Sequence, residues 1–108
     1  MTTIERQKLE DAIRVFYIDK KELEFREVIG KGGFGLVTKG YYRGKKCAIK
    51  SIYIPANTRY SGGLTSDDPY LDFLNEMNVQ LKLDHQNILT VYGWSSDEAC
   101  LYVVMELM

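Results

Sequence analysis

Apolar positions recur with helical spacing in two stretches of the chain and alternate with polar ones in the stretches between. Leu9, Ala12, Ile13 and Phe16 make a helical stripe, and Thr2 with Glu5 in front of it matches a capping box. Residues 2–16 are therefore predicted to be a helix. From Glu22 the pattern changes to alternation (Glu22, Leu23, Glu24, Phe25, Arg26), which predicts a half-buried strand over residues 22–29. A second strand-like run, Val37-Thr38-Lys39-Gly40-Tyr41-Tyr42, turns at Arg43-Gly44, and a third runs from Cys47 to Ile54, where Pro55 ends it. Residues 55–66 have loop composition with Gly62-Gly63 as a flexible point. Ser66-Asp67-Asp68-Pro69 is a good helix start, and a helix is predicted from there to about Leu83, with Leu71, Leu74, Met77 and Leu81 among its apolar residues. Two more strands, Ile88 to Trp94 and Cys100 to Met105, are separated by the turn-like Ser95-Ser96-Asp97-Glu98.

Composition narrows the function classes. A chain of 108 residues allows one domain, and its 45% hydrophobic and 27% charged residues are ordinary for a soluble globular protein. A net charge of −1 gives no reason to expect nucleic acid as a partner. No apolar run approaches the roughly 20 residues of a membrane span. The N-terminus has neither the basic start nor the apolar core of a signal peptide, so a cytoplasmic location is expected. Cys47 and Cys100 lack metal-ligand spacing and read as buried thiols in a reducing compartment. With His85 as the single histidine, a histidine-rich metal site is excluded.

The candidate chemistry lies in Ile29-Gly30-Lys31-Gly32-Gly33-Phe34-Gly35-Leu36-Val37, followed by Cys47-Ala48-Ile49-Lys50. Glycines without a Cβ let the backbone approach a ligand closely, and successive N–H groups in such a turn suit a phosphate. Lys50 could supply the point charge a phosphate oxygen wants. Three chemistries share a G-x-G-x-x-G loop. The dinucleotide fold needs the glycines to open a helix and an acidic residue about 20 positions on. Here a strand-like run follows, and Lys50 stands at that distance from Gly30. A P-loop needs Gly-Lys-Ser/Thr, which the chain lacks. The remaining arrangement is G-x-G-x-x-G-x-V with a third-strand A-x-K, matched by Gly30, Gly32, Gly35, Val37, Ala48 and Lys50.

With these motifs, the segment from about Ile18 to Met108 resembles the N-terminal lobe of a eukaryotic-type protein kinase. The form of the glycine loop and the short Arg43-Gly44-Lys45-Lys46 turn resemble the tyrosine-kinase-like group, near the Roco kinases. Phe73-Leu74-Asn75-Glu76-Met77 resembles that family's C-helix, and Leu83-Asp84-His85-Gln86-Asn87-Ile88 its helix-to-strand junction. The resemblance implies an α+β lobe with a five-stranded antiparallel sheet and one packed helix, over residues 18–108. Residues 1–17 read as an N-terminal helical extension that packs on the lobe or frays, the other reading being a regulatory or linker helix arriving from an upstream domain. It also implies ATP, with Mg²⁺, as cofactor. Gly30, Lys31, Gly32, Gly33, Phe34, Gly35, Leu36 and Val37 would cover the triphosphate, with Phe34 at the tip. Lys50 would contact the α- and β-phosphates, held by an ion pair with Glu76. Ile29, Val37 and Ala48 would form the upper wall of the adenine slot, with Met105 as gatekeeper. The backbone of Glu106 and Met108 would hydrogen-bond the adenine edge.

Two departures qualify this expectation. The family places an apolar residue four positions after its helix glutamate, where this chain has Gln80. The chain as given ends at Met108 without the H-R-D-x-x-x-x-N, D-F-G and A-P-E motifs that hold the substrate hydroxyl and the metal. Alone, then, it is expected to bind ATP without catalysing transfer. The full enzyme is expected to phosphorylate serine or threonine of a protein substrate, tyrosine being the other option, through a C-terminal lobe absent here. The competing reading is a stand-alone, non-catalytic module that binds nucleotide or regulates another kinase.

Overall fold

Five strands and two helices succeed one another in the computed structural model of the chain, which describes residues 3–32, 35–56, 69–82 and 90–107. They are α1 (Thr3–Arg14), β1 (Leu23–Gly32), β2 (Gly35–Tyr42), β3 (Lys45–Tyr53), α2 (Pro69–Lys82), β4 (Val91–Ser96) and β5 (Cys100–Glu106). The strands form one antiparallel sheet in the order β1-β2-β3-β5-β4. This is the α+β architecture expected from the sequence. Arg43-Gly44 makes the anticipated turn between Tyr42 and Lys45, with φ of 51° and 79°, the positive pair that a two-residue hairpin of right-handed twist requires.

Alternation along the strands divides the core between the two sheet faces. On one face, Ile54, Leu101 and the α2 residues Tyr70, Phe73, Leu74 and Met77 pack together with Ile13 of α1. On the other, Cys47, Ile49, Tyr102 and Val104 pack with Ile18 and Leu23. Each fully buried aliphatic side chain contributes about 1.5–3 kcal/mol. Helix α2 turns Tyr70, Phe73, Leu74, Met77 and Asn78 inward, the spacing of one helical face. Of the two thiols expected to be buried, only Cys47 is. Burial pushes its pKa up, whereas Cys100 is half-exposed, and neither forms a disulfide.

Several boundaries differ from the sequence pattern. β1 continues to Gly32 instead of ending at residue 29, because the glycine-rich backbone goes on pairing: Gly30 with Val37, Lys31 with Leu36, Gly32 with Gly35. β4 spans Val91–Ser96, since Ser95 and Ser96 stay paired with Tyr102 and Leu101. The turn that follows is tied by Asp97, whose Oδ1 accepts from the amides of Ala99 (2.9 Å) and Cys100 (2.7 Å). α1 stops at Arg14, so Phe16 leaves the predicted stripe, and Ala12 is exposed. The chain is diverted because β4 is an edge strand with backbone groups to satisfy. Ile18 N donates to Trp94 O (2.7 Å) and Trp94 N donates to Phe16 O (3.2 Å), which pairs Tyr17 with Trp94 in a parallel bridge. The residue 57–66 part of the loop, the Ser66 helix start, Gln80's side chain and His85 lie outside what is described. No helix among the described residues is long and apolar enough to cross a membrane.

Candidate functional site

Register across the sheet gathers the candidate residues into two lateral rows. Gly30 lies opposite Val37, Val37 opposite Lys50, Lys50 opposite Val103, and Val103 opposite Trp94, one row crossing all five strands. The next row sets Lys39 opposite Ala48, Ala48 opposite Met105, and Met105 opposite Val91. Directly opposed residues share a face, and so do residues two apart on a strand. Val37, Ala48, Lys50 and Met105 therefore project to the face that α2 covers, where Val91, Trp94 and Val103 meet its apolar cluster. Leu36 and Lys31 alternate onto the other face, so those two side chains are not brought to the group. Ala48 is buried, Val37, Lys50 and Met105 are half-buried, and Ile29 is 48% exposed.

The loop glycines differ in what the fold asks of them. Gly35 has φ +143°, and a Cβ there would stand 1.8 Å from the Ser51 carbonyl oxygen, so β2 can approach β3 only with glycine at this position. At Gly30 a Cβ would meet only Val37 Cβ at 3.7 Å, an ordinary contact. The fold around Gly30 therefore leaves room for a side chain. Gly33, Phe34 and Met108 lie outside the described residues.

Glu76 lies on the exposed side of α2, and among the described residues no ion pair joins it to Lys50. At 3.6 residues per turn it sits about 60° round the helix from Phe73, on the flank away from Asn78. Glu106 donates its amide to Thr90 O (2.8 Å) at the end of β5 and lies opposite Cys47. Among the described residues no cluster of His, Cys, Asp or Glu is arranged to hold a metal ion.

Sequence reasoning missed Gly93 and Trp94. A Cβ at Gly93 would stand 2.2 Å from Phe16 O, so the N-terminal segment lies against β4 only because glycine is there. Trp94 donates its indole N–H to Ile13 O (2.8 Å) and meets Tyr17 and Phe73 edge to face at 4.8 and 5.8 Å. The available signal was an isolated glycine inside a strand pattern, which marks a close backbone approach.

Comparison with known proteins places the chain's sequence in a family. The family model described as protein tyrosine and serine/threonine kinase matches residues 23–108. Mitogen-activated protein kinase kinase kinase 7 of Homo sapiens is 36% identical over 89 residues, which are 82% of this chain and 12% of that protein. The protein of the same name from Drosophila melanogaster is 29% identical over 96 residues, 89% of this chain and 12% of its own length. Probable serine/threonine-protein kinase roco5 of Dictyostelium discoideum is 35% identical over 91 residues, 84% of this chain and 3% of that protein. The chain thus spans 12% or less of these relatives' length. With the family model matching all five strands and α2, the chain belongs to the protein tyrosine and serine/threonine kinase family, of the eukaryotic type, and corresponds to its N-terminal lobe.

Proposed function

We propose that residues 18–108 form the ATP-gripping lobe of a cytoplasmic protein kinase that phosphorylates serine or threonine in a protein substrate, together with a C-terminal lobe. The observation that carries this reading is the row Gly30–Val37–Lys50, on the same sheet face as Ala48 and Met105. Val37 and Ala48 supply an apolar surface for the adenine ring, with Met105 behind it and the Glu106 and Met108 backbone at its edge. The bare backbone from Gly30 to Gly35 lies over the triphosphate, and Lys50 Nζ takes the α- and β-phosphate oxygens. Bound Mg²⁺ would neutralise phosphate charge, its ligands coming from the C-terminal lobe. What this lobe adds is position and electrostatics, the main contributions in phosphoryl transfer. The serine/threonine assignment rests on similarity to the probable serine/threonine-protein kinase roco5.

Glu76 is the partner assigned to Lys50, reached by movement of α2. Its exposed position also favours a second reading, a nucleotide-binding or kinase-regulating module without catalysis. An NMR titration of the ¹⁵N-labelled chain with Mg-ATP separates nucleotide binding from its absence. The proposal expects saturable shifts at the Gly30, Val37, Lys50 and Met105 amides, with those of β4 nearly still. Shifts absent from these strands, or scattered evenly over the sheet, contradict it. Phosphorylation of a protein substrate by the longest natural chain, lost in Lys50→Met, then decides for the enzyme over the module.

A further inference from the structure

A cavity of about 420 Å³ opens where α1, α2 and β4 meet, at the edge of the sheet opposite β1. Its volume is that of a small-ligand site. Three aromatic rings, Tyr17, Tyr70 and Trp94, wall it together with the aliphatic Ile13, and Glu10 brings a carboxylate to it. Each ring is held by a bond of its own. Trp94 donates its indole N–H to Ile13 O (2.8 Å), Tyr70 OH donates to Glu10 Oε1 (3.0 Å), and Tyr17 OH shares a hydrogen bond with Ser96 Oγ (3.2 Å). Tyr17 and Trp94 meet at 77° with centroids 4.8 Å apart, so their planes form a corner. Tyr17 is 44% exposed, which leaves that corner open to solvent.

We propose that this cavity is a binding site for an alkylammonium group, the methylated head of a lysine side chain or of a small free amine. The face of an aromatic ring is negative, and it draws a cation that comes within about 6 Å of the centroid. Tyr70 already does so at its outer side, where the Arg6 guanidinium lies 5.8 Å from the ring centre. Glu10 settles the charge of the guest. A neutral apolar group would strip water from this half-buried carboxylate and give nothing back, whereas a cation compensates it. Among the described residues Glu10 makes no ion pair, while Arg14, also on the wall, is paired with Asp11 (2.9 Å). A metal ion would need several donor groups, and the described residues hold no such cluster. A primary ammonium is compact and strongly hydrated. Methyl groups on the nitrogen lower that hydration and give the rings an apolar surface to pack against. Because the rings are fixed before the guest arrives, binding has little ordering to impose on them.

Trp94 is the chain's single tryptophan, so its fluorescence reports on the cavity directly. The 108-residue chain is titrated with choline chloride, with sodium chloride at equal ionic strength, and with dimethylbutanol, the uncharged analogue that has carbon in place of choline's nitrogen. The same titrations are run on Glu10→Gln, which keeps an oxygen for Tyr70 OH, and on Tyr17→Leu, with circular dichroism to establish that each is folded. The expected result is a saturable change in Trp94 emission with choline, none with sodium chloride, and several-fold weaker binding of dimethylbutanol. Each variant should weaken choline by about two- to fivefold, the worth of one cation–π contact at a partly exposed site. Dimethylbutanol should bind Glu10→Gln no more weakly than the wild type. Dimethylbutanol binding as tightly as choline overturns the proposal, and so does a choline response equal to that of sodium chloride. Undiminished choline binding in a folded Glu10→Gln overturns the role of the carboxylate. Should neither variant fold, the comparison of choline with its uncharged analogue on the wild type still decides. A short uncharged peptide carrying trimethyl-lysine separates the two sources. Tighter binding than choline assigns the site to a protein side chain, and equal or weaker binding assigns it to a small free amine.

Discussion

At the scale of single residues, Gly30 and Gly35 belong to one loop and answer to different demands. In Gly35→Ala the new Cβ meets backbone at Ser51 and sits at a φ that side chains avoid, so a loss of about 1–3 kcal/mol or more is expected by denaturant unfolding. Gly30→Ala has room and should leave stability within about 0.5 kcal/mol while weakening nucleotide binding. Equal losses in the two variants would remove the distinction. Asp97 answers to charge. Burial raises its pKa, but hydrogen bonds from Lys20 (2.7 Å), Tyr102 (2.5 Å) and the Cys100 and Ala99 amides outweigh that and hold the carboxyl well below the usual carboxylate range. The folded chain then binds fewer protons there than the unfolded chain. The resulting stability is complete above the unfolded carboxyl's pKa of about 3.9 and fades as pH falls below it. Burial and the bond to Asp97 hold Tyr102 up in turn, so its contribution is complete below about pH 10 and fades as pH rises beyond. Acid titration of stability should be less steep in Asp97→Asn than in the wild type, and identical acid limbs would show that Asp97 is not the group responsible.

At the scale of elements, the N-terminal helix is part of the lobe's core. Ile13 is 1% exposed and packs with Leu74, Met77 and Leu101. Ile13→Ala should cost about 2–5 kcal/mol; a change below about 0.5 kcal/mol would mean that α1 frays in solution. The helix itself was legible, because Leu9 and Ile13 recur at helical spacing, but its end was not. Phe16 continues the stripe by spacing, and it is main-chain bonding to an edge strand, which side-chain periodicity does not encode, that takes it out. β2, β3 and their turn were legible for the opposite reason. Arg43-Gly44 and the strand patterns on either side are local signals that agree with each other.

At the scale of the whole molecule, the sequence named the residues of the candidate site but not their faces. Lys50 and Val37 were found by motif, and only the register sets them side by side with Leu36 turned away. The Glu76 assignment came from family register alone, and α2 is fastened to α1 by bonds between segments far apart in the chain. The most direct test of the nucleotide site is thermal unfolding of the chain followed by circular dichroism, with increasing Mg-ATP and with Lys50→Met alongside. A ligand that binds only the folded state adds about 2.7 kcal/mol at a hundred times its dissociation constant. The nucleotide-site reading predicts a midpoint that climbs with Mg-ATP in the wild type and stays flat in Lys50→Met. A folded wild type whose midpoint ignores Mg-ATP, or a Lys50→Met chain that responds equally, would contradict it.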